Sequence, residues 1–303
     1  MSSVIDLSRL PAPNVVEDID FEALLAERKA GFLALLPEAL RPSVAAKLEL
    51  QSEPITILLQ ESVYREIYLR QRINDAARAT MLAFAQDGDL DHVVALLGIE
   101  RQTITPANPD TGAVAVMEGD PDLRYRGQLA PQGFSVAGPE GAYRSHALGA
   151  HGSVLDASAT SPAPGEVLVT VLVREGDGTP PQAVLDAVTA ALNAEDVRPL
   201  TDKVTVRGAE IVSYDVVATI YTFAGPDSSV VLSEARVRLD QYVADTHRIG
   251  REVTASGIYA ALHVDGVERV ALSSPGGERL PIAPTQASYC RSVNLTYGGV
   301  YAG

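Results

Sequence analysis

Cysteine is nearly missing: Cys290 is the only one among 303 residues. A single thiol excludes an intramolecular disulfide and any thiolate metal cluster within one chain. Tryptophan is absent, and only 5 Phe accompany 11 Tyr. Sugar sites stack their ligands on aromatic faces, Trp above all, so this scarcity argues against a carbohydrate-binding function. Positive charge is also short, with 24 Lys and Arg against 39 Asp and Glu and a net charge of −15. Clustered cations are what phosphate backbones and anionic bilayers attract, so neither nucleic acid nor a membrane surface is expected as a partner. No apolar run approaches the roughly 20 residues a membrane-spanning helix needs. The opening MSSVIDLSRLPAP lacks the basic stretch and apolar core of a signal peptide. A soluble chain, made and kept in the cytoplasm, is expected.

Chemistry-bearing motifs are missing too. The five histidines (His92, His146, His151, His247 and His263) contain no HExxH pair. His146 and His151 share a Gly-rich stretch, but companion ligands are absent. There is no P-loop, no GxGxxG after a strand and no GxSxG elbow. Asp87-Gly88-Asp89-Leu90-Asp91 begins like a calcium loop, yet His92 stands where Gly is needed and Gly98 where Glu is needed. There Gly88 is read as ending one helix, Asp89 as capping the next, and LDHVVALLG as a short helix closed by Gly98. Neither a cofactor nor a metal is expected, and no catalytic group emerges.

Apolar residues make up 46% of the chain, which is enough for a sizeable core. The first third reads as helical. FEALLAERKAGFLALL places Leu24, Leu25, Phe32, Leu35 and Leu36 at helical spacing, and Pro37 and Pro42 end that pattern. Pro54 can open a second helix, and no Gly or Pro follows until Gly88. A helix from Pro54 to Gln86 would be roughly 50 Å long. Leu59, Val63 and Ile67 lie on one of its faces, Tyr64 and Tyr68 beside it, and Ile73, Ala77, Met81 and Phe84 continue round. A helix apolar on several sides needs neighbours on several sides. Residues 20–36 and 90–97 could cover it, or helices of other chains could. The inter-chain reading makes Leu59, Val63, Tyr64, Ile67 and Tyr68 the partner-binding set.

From Thr105 to Pro164 the composition shifts to Gly, Pro, Ser and Ala, and FSVAG-PEG-AYRSHA reads as a hairpin. From Glu166 the pattern sharpens. EVLVTVLV is a buried strand, and a helix containing Val184, Leu185, Val188, Ala191 and Leu192 follows. Then come KVTVR and IVSYDVVATIYTF as strands, helices over 233–246 and 254–263, the strand GVERVAL, and a tail that alternates like an edge strand. The expected class is α+β, in three parts: a helical region over 1–104 with one long helix, a β-rich insert over 105–165, and an α+β domain over 166–303 with helices on a small sheet.

The charged corner Arg198-Pro199-Leu200-Thr201-Asp202 joins the helix to KVTVR. Pro199 cannot continue a helix, and Arg198 can pair with Glu195 or Asp202. No nucleophile or base accompanies them, so Arg198, Pro199 and Asp202 read as a structural hinge.

That stretch also carries a resemblance. Strand, Gly turn and helix lead into E-D-V-R-P-x-x-D-x-V-x-V, met here by Glu195, Asp196, Val197, Arg198, Pro199, Asp202, Val204 and Val206. YREIYLRQRINDAARATMLAFAQDGDLD, SVAGPEGAYRSHA and HRIGREVTASGIYAALHVDGVERVAL supply further ordered blocks. Together they resemble the baseplate J-like family of contractile phage tails. The resemblance implies a structural wedge component without enzymatic activity. Its implied partners are a second copy of itself, a smaller wedge protein, neighbouring wedges and a nearby sheath-initiator protein, with residues 1–104 implied in the wedge core and residues 166–303 in inter-subunit contact and ring formation. It implies a place in the tail baseplate of a phage or contractile bacteriocin, after synthesis in the host cytoplasm. A tail-associated cell-wall hydrolase and a receptor- or glycan-binding tail protein are the alternatives.

Overall fold

The structure is a computed structural model, and it describes residues 5, 7, 10, 11, 13, 15–225 and 227–301. The chain divides into two compact units, Ser3–Glu100 and Arg101–Gly303.

The first unit is helical. Helix α1 (Phe21–Leu35) starts where the Asp20 carboxylate accepts hydrogen bonds from the Glu22 and Ala23 amides. A short 3-10 turn (Glu38–Leu40) leads into α2 (Arg41–Leu48), and α3 runs over Pro54–Ala79 with Pro54 in its first turn. At 26 residues, α3 is about 39 Å long, shorter than the span to Gln86 read from the sequence. It stops without Gly or Pro. The Thr80 hydroxyl donates to the Ala77 carbonyl (2.9 Å), and the chain tightens into turns through Ala85. Helix α4 spans Asp87–Ala95, so Gly88 and Asp89 lie inside its first turn and the expected Asp89 cap is replaced by Gln86. Gly98 takes φ 73 just beyond that helix.

The second unit opens with a two-strand ladder, β1 (Thr103–Thr105) against β2 (Val116–Met117). Two helices follow where a β-rich insert was expected: α5 (Asp120–Gly133) and α6 (Glu140–Ala150). The hairpin expected over 134–147 is thus corrected to a turn over 134–139 followed by helix from Glu140. Pro139 supplies an extended N-cap, Glu140 complements the helix dipole, and Glu140–Ala150 has no β-branched residue. Its buried Tyr143, Ala147 and Leu148 follow helical spacing. Strand β3 (Val154–Ala163) then pairs antiparallel with β4 (Glu166–Val173) across Pro164-Gly165, with Gly165 at φ 76. The boundary expected at 165/166 therefore falls within a hairpin.

Helix α7 (Gln182–Leu192) returns the chain so that β5 (Lys203–Gly208) runs parallel to β4, completing a sheet ordered β3-β4-β5. Strand β6 (Glu210–Thr222) begins a second sheet. After it come α8 (Ser228–Thr246), β7 (Val253–Thr254), α9 (Ala255–Leu262), β8 (Val267–Ser274), β9 (Arg279–Leu280) and β10 (Gln286–Val300). The order in this sheet is β10-β6-β8, so the alternating tail is an edge strand, parallel to β6. Its core forms by period. Tyr214, Val216, Ala218 and Ile220 point inward at every second position of β6; Val231, Ala235 and Leu239 do so at every fourth position of α8. Ile258 and Leu262 of α9 complete the layer. Each fully buried aliphatic side chain contributes about 1.5–3 kcal/mol.

Candidate partner-docking face

The functional reading centres on α3, because its sides differ. Thr56, Val63 and Asn74 are buried, and Leu59 and Ile67 on the same side are half-buried. The Asn74 side chain holds the backbone at Glu17 twice: it accepts from the Glu17 amide (3.0 Å) and donates to the Glu17 carbonyl (2.9 Å). Glu66 receives Arg28 from α1 and Arg70 from its own helix (2.8 Å), and Arg70 also reaches Glu17 (2.7 Å). Hydrogen bonds from Arg28 and then Arg70 hold the Glu66 carboxyl below the usual carboxylate range. The Phe21 ring lies 5.0 Å from that of Tyr64.

The opposite side is open. Ile57, Leu58, Tyr64, Tyr68, Leu69 and Ile73 are each more than half exposed. At 100° per residue they form two stripes: Ile57, Tyr64 and Tyr68 within about 40°, and Leu58, Leu69 and Ile73 within about 60°. Glu61, Arg65 and Arg72 occupy the strip between, and Glu61 pairs with Arg65. Glu61, Tyr64, Arg65, Tyr68 and Leu69 line a shallow depression of ≈ 400 Å³. Two apolar stripes flanking a charged ridge can receive two partner helices side by side.

Of the five residues singled out from the sequence, Tyr64 and Tyr68 stand on the open face. Val63 is wholly buried in its own chain, so it has no surface to offer a partner; Leu59 and Ile67 offer part of theirs. Sequence reasoning missed Ile57, Leu58 and Leu69 for this face and placed Ile73 only on the helix's wider apolar circumference. The omission is physical: an all-round apolar helix does not say which side α1 takes.

The Arg198-Pro199-Asp202 corner is held from α6. The Tyr143 hydroxyl donates to Asp202 Oδ2 (2.6 Å), and Gly138 packs so closely that a Cβ there would meet the Pro199 ring at 2.9 Å. Burial first, then the Asp202 hydrogen bond, pushes the Tyr143 phenol well above its ordinary value. The Arg198 amide bonds to the Ala194 carbonyl (3.0 Å), and the Lys203 amide starts β5 on the Gly165 carbonyl (2.8 Å).

Other polar groups serve the fold. His146 Nε2 lies 3.1 Å from the Gly133 carbonyl, and His151 Nδ1 accepts from the Ser153 amide (3.1 Å). Two carboxylates are buried among the described residues, Glu118 and Asp156. Glu118 pairs with Arg126 (2.6 Å). Asp156 accepts from the Ala157 and Ile249 amides (2.8 and 3.0 Å), and burial raises its carboxyl despite Arg144 at 3.5 Å. Among the described residues no group of three or more His, Cys, Asp or Glu is arranged to hold a metal ion. Among the described residues no helix is long and apolar enough to cross a membrane.

The fold and this face define an α+β protein of two units, the helical one carrying two exposed apolar stripes along α3. The chain belongs to the baseplate J-like family: residues 51–108 match the Baseplate J-like N-terminal domain and residues 135–208 the Baseplate J-like central domain. It is 48% identical over 298 residues to Baseplate protein J of Escherichia phage P2, covering 98% of each chain. A much looser likeness, 15% identical with a TM-score of 0.40 over 60% of this chain and 44% of the other, is to a chain in the six-fold symmetrised cryo-EM structure of the anti-feeding prophage (AFP) baseplate.

Proposed function

We propose that this chain is a structural component of a contractile-tail baseplate and works by assembly rather than catalysis. Two copies intertwine with one smaller partner into a wedge, and α3 supplies helix surface to the shared bundle. Wedges join around the hub near the sheath initiator, in a phage or a headless bacteriocin particle. Firing shifts the balance between two packed arrangements of the same interfaces.

The observation that supports this most is the open face of α3, with six large apolar side chains more than half exposed. Paired apolar stripes of this kind, uncovered by their own chain, mark a protein-interaction surface. Covering it would contribute on the order of 5–10 kcal/mol of burial. Co-expression with the smaller wedge partner, followed by mass measurement, tests the reading. The expected mass is two copies of this chain plus one partner. A stable monomer that ignores the partner would overturn it.

A further inference from the structure

The unit Arg101–Gly303 holds two larger sheets, and the chain passes between them once. Residues 101–208 build β3-β4-β5 with α5, α6 and α7; residues 210–303 build β10-β6-β8 with α8 and α9. The change of sheet takes a single residue. The Ala209 amide bonds to the Val171 carbonyl of the first half (2.9 Å), and the Glu210 amide to the Thr285 carbonyl of the second (3.1 Å). Substantial packing between helices and strands falls within one half or the other. The apolar seam joining the halves is small: Leu172, Ala209 and Ala287 are buried in it, with Leu155, Ile211 and Ile249 at its edge.

A strap between α8 and β7 closes this seam. The Ile249 amide donates to Oδ2 of the buried Asp156 on β3 (3.0 Å). Arg248 reaches Asp122 of α5 (3.7 Å). The His247 ring lies on the turn after β4, so close that a Cβ at Gly178 would stand 3.1 Å from its Nε2. On its other side the strap is fixed to β10: the Gly250 amide bonds to the Gln286 carbonyl (2.9 Å), and the Ser288 hydroxyl to the Thr246 carbonyl (3.1 Å). Nearby, the Ser158 hydroxyl on β3 donates to the Pro284 carbonyl (2.7 Å). The strap therefore travels with the second half and grips the first through a few polar contacts.

The seam is also incompletely satisfied. Among the described residues three buried side-chain atoms bond to no protein group, and two of them are here, His247 Nε2 and Thr170 Oγ1. His247 Nδ1 bonds to the Ser288 carbonyl (2.5 Å), which leaves Nε2 as the acceptor of the neutral ring. Thr170 lies two residues before Leu172, on the same face of β4. Parting the halves hydrates both atoms and the Asp156 carboxylate, which offsets part of what the lost bonds contribute. Three buried apolar residues in the seam hold less firmly than the thirteen in the core of the second half.

We propose that the two halves part and reclose as folded bodies about Gly208–Ala209, with the strap His247–Gly250 as the latch. This joint involves no residue of α3 and operates in the isolated chain, so it stands without the assembly reading. In an assembled baseplate it lets one copy change shape while both of its sheets stay intact.

Thiol labelling of the full-length chain at low concentration tests it, in a Cys290→Ser background that removes the one native thiol. Ala287→Cys places a thiol in the seam, whereas Ala147→Cys and Ala235→Cys place thiols inside the first and second halves; all three positions are wholly buried. The seam thiol is expected to react at least roughly tenfold faster than the other two, at a rate that low urea leaves unchanged, because local opening exposes little surface. Ser158→Ala should speed the seam thiol a further roughly two- to tenfold, and Asp156→Ala roughly 10- to 100-fold, with the interior thiols unchanged. Equal rates at the three positions, or a variant that speeds all three alike, would mean access only by unfolding of the whole unit and would overturn the joint. A seam rate that neither variant alters would overturn the latch. If Asp156→Ala does not fold, Ser158→Ala, which deletes a single hydroxyl, carries the test alone. Capture of the smaller partner, measured on the same samples, reads the assembly assignment separately. Loss of capture with a fast seam thiol sinks only that assignment, and capture with a slow seam thiol sinks only the joint.

Discussion

Replacing Tyr68 and Ile73 by Asp separates docking from folding. Both side chains are more than half exposed, one on each stripe of α3. Exposed substitutions of this kind change stability within about 0.5 kcal/mol, so the helical unit should melt almost as before. Docking is different. Each lost apolar contact removes about 1.5–3 kcal/mol, and two together about 3–6 kcal/mol. That weakens partner capture by roughly 10²- to 10⁴-fold, before the added cost of desolvating two carboxylates. The assay is co-purification with the smaller wedge partner across a dilution series, with circular dichroism as the folding control. Val63→Asp is the contrasting variant. It buries an unpaired charge at a wholly covered position and should unfold the helical unit. If Tyr68→Asp with Ile73→Asp retained wild-type capture, the reasoning from exposed apolar area would fail.

Expressed alone, the chain should self-associate with rising concentration because the ridge is uncovered; light scattering showing a monomer at high concentration would contradict this. Gly152→Ala would place a Cβ 2.3 Å from the Thr103 carbonyl oxygen, so the second unit should lose about 1–3 kcal/mol in a denaturant titration. Glu66 has its folded pKa depressed below 4.5, so its contribution is present above that value and lost as pH falls through the folded value. Acid unfolding of the helical unit should therefore steepen below about pH 4.5, and Glu66→Gln should flatten that limb. Tyr143 has its folded pKa raised, so its contribution is full below the ordinary value of 10.0 and is lost as pH rises beyond it. Tyr143→Phe should blunt alkaline unfolding of the second unit, and an unchanged alkaline limb would sink the role given to its bond with Asp202.

Legibility followed periodicity. The alternation of Tyr214, Val216, Ala218 and Ile220 and the fourfold spacing of Val231, Ala235 and Leu239 are visible in the letters, and both form the core of the second sheet. The α+β class and the edge position of the tail were legible for the same reason. The middle was not. Glycines and prolines around α5 and α6 resemble turn chemistry, yet Pro121 sits in a first helical turn and Pro139 at an N-cap, both positions helices accept. The docking face was half legible. That α3 is apolar on several sides follows from its composition; that Val63 faces inward while Leu69 and Ile73 face out depends on α1, a tertiary choice with no local signal. The corner read as architecture, and its hydrogen bond from Tyr143 spans 59 residues of sequence, beyond any local pattern.

The most direct test of the central claim is covalent footprinting of Tyr64, Tyr68, Leu69 and Ile73, comparing the isolated chain with assembled baseplates. All four should be labelled in the isolated chain and strongly protected in the particle, while Val63 stays unlabelled in both. Equal labelling of the four in both states would contradict the claim that other chains cover α3.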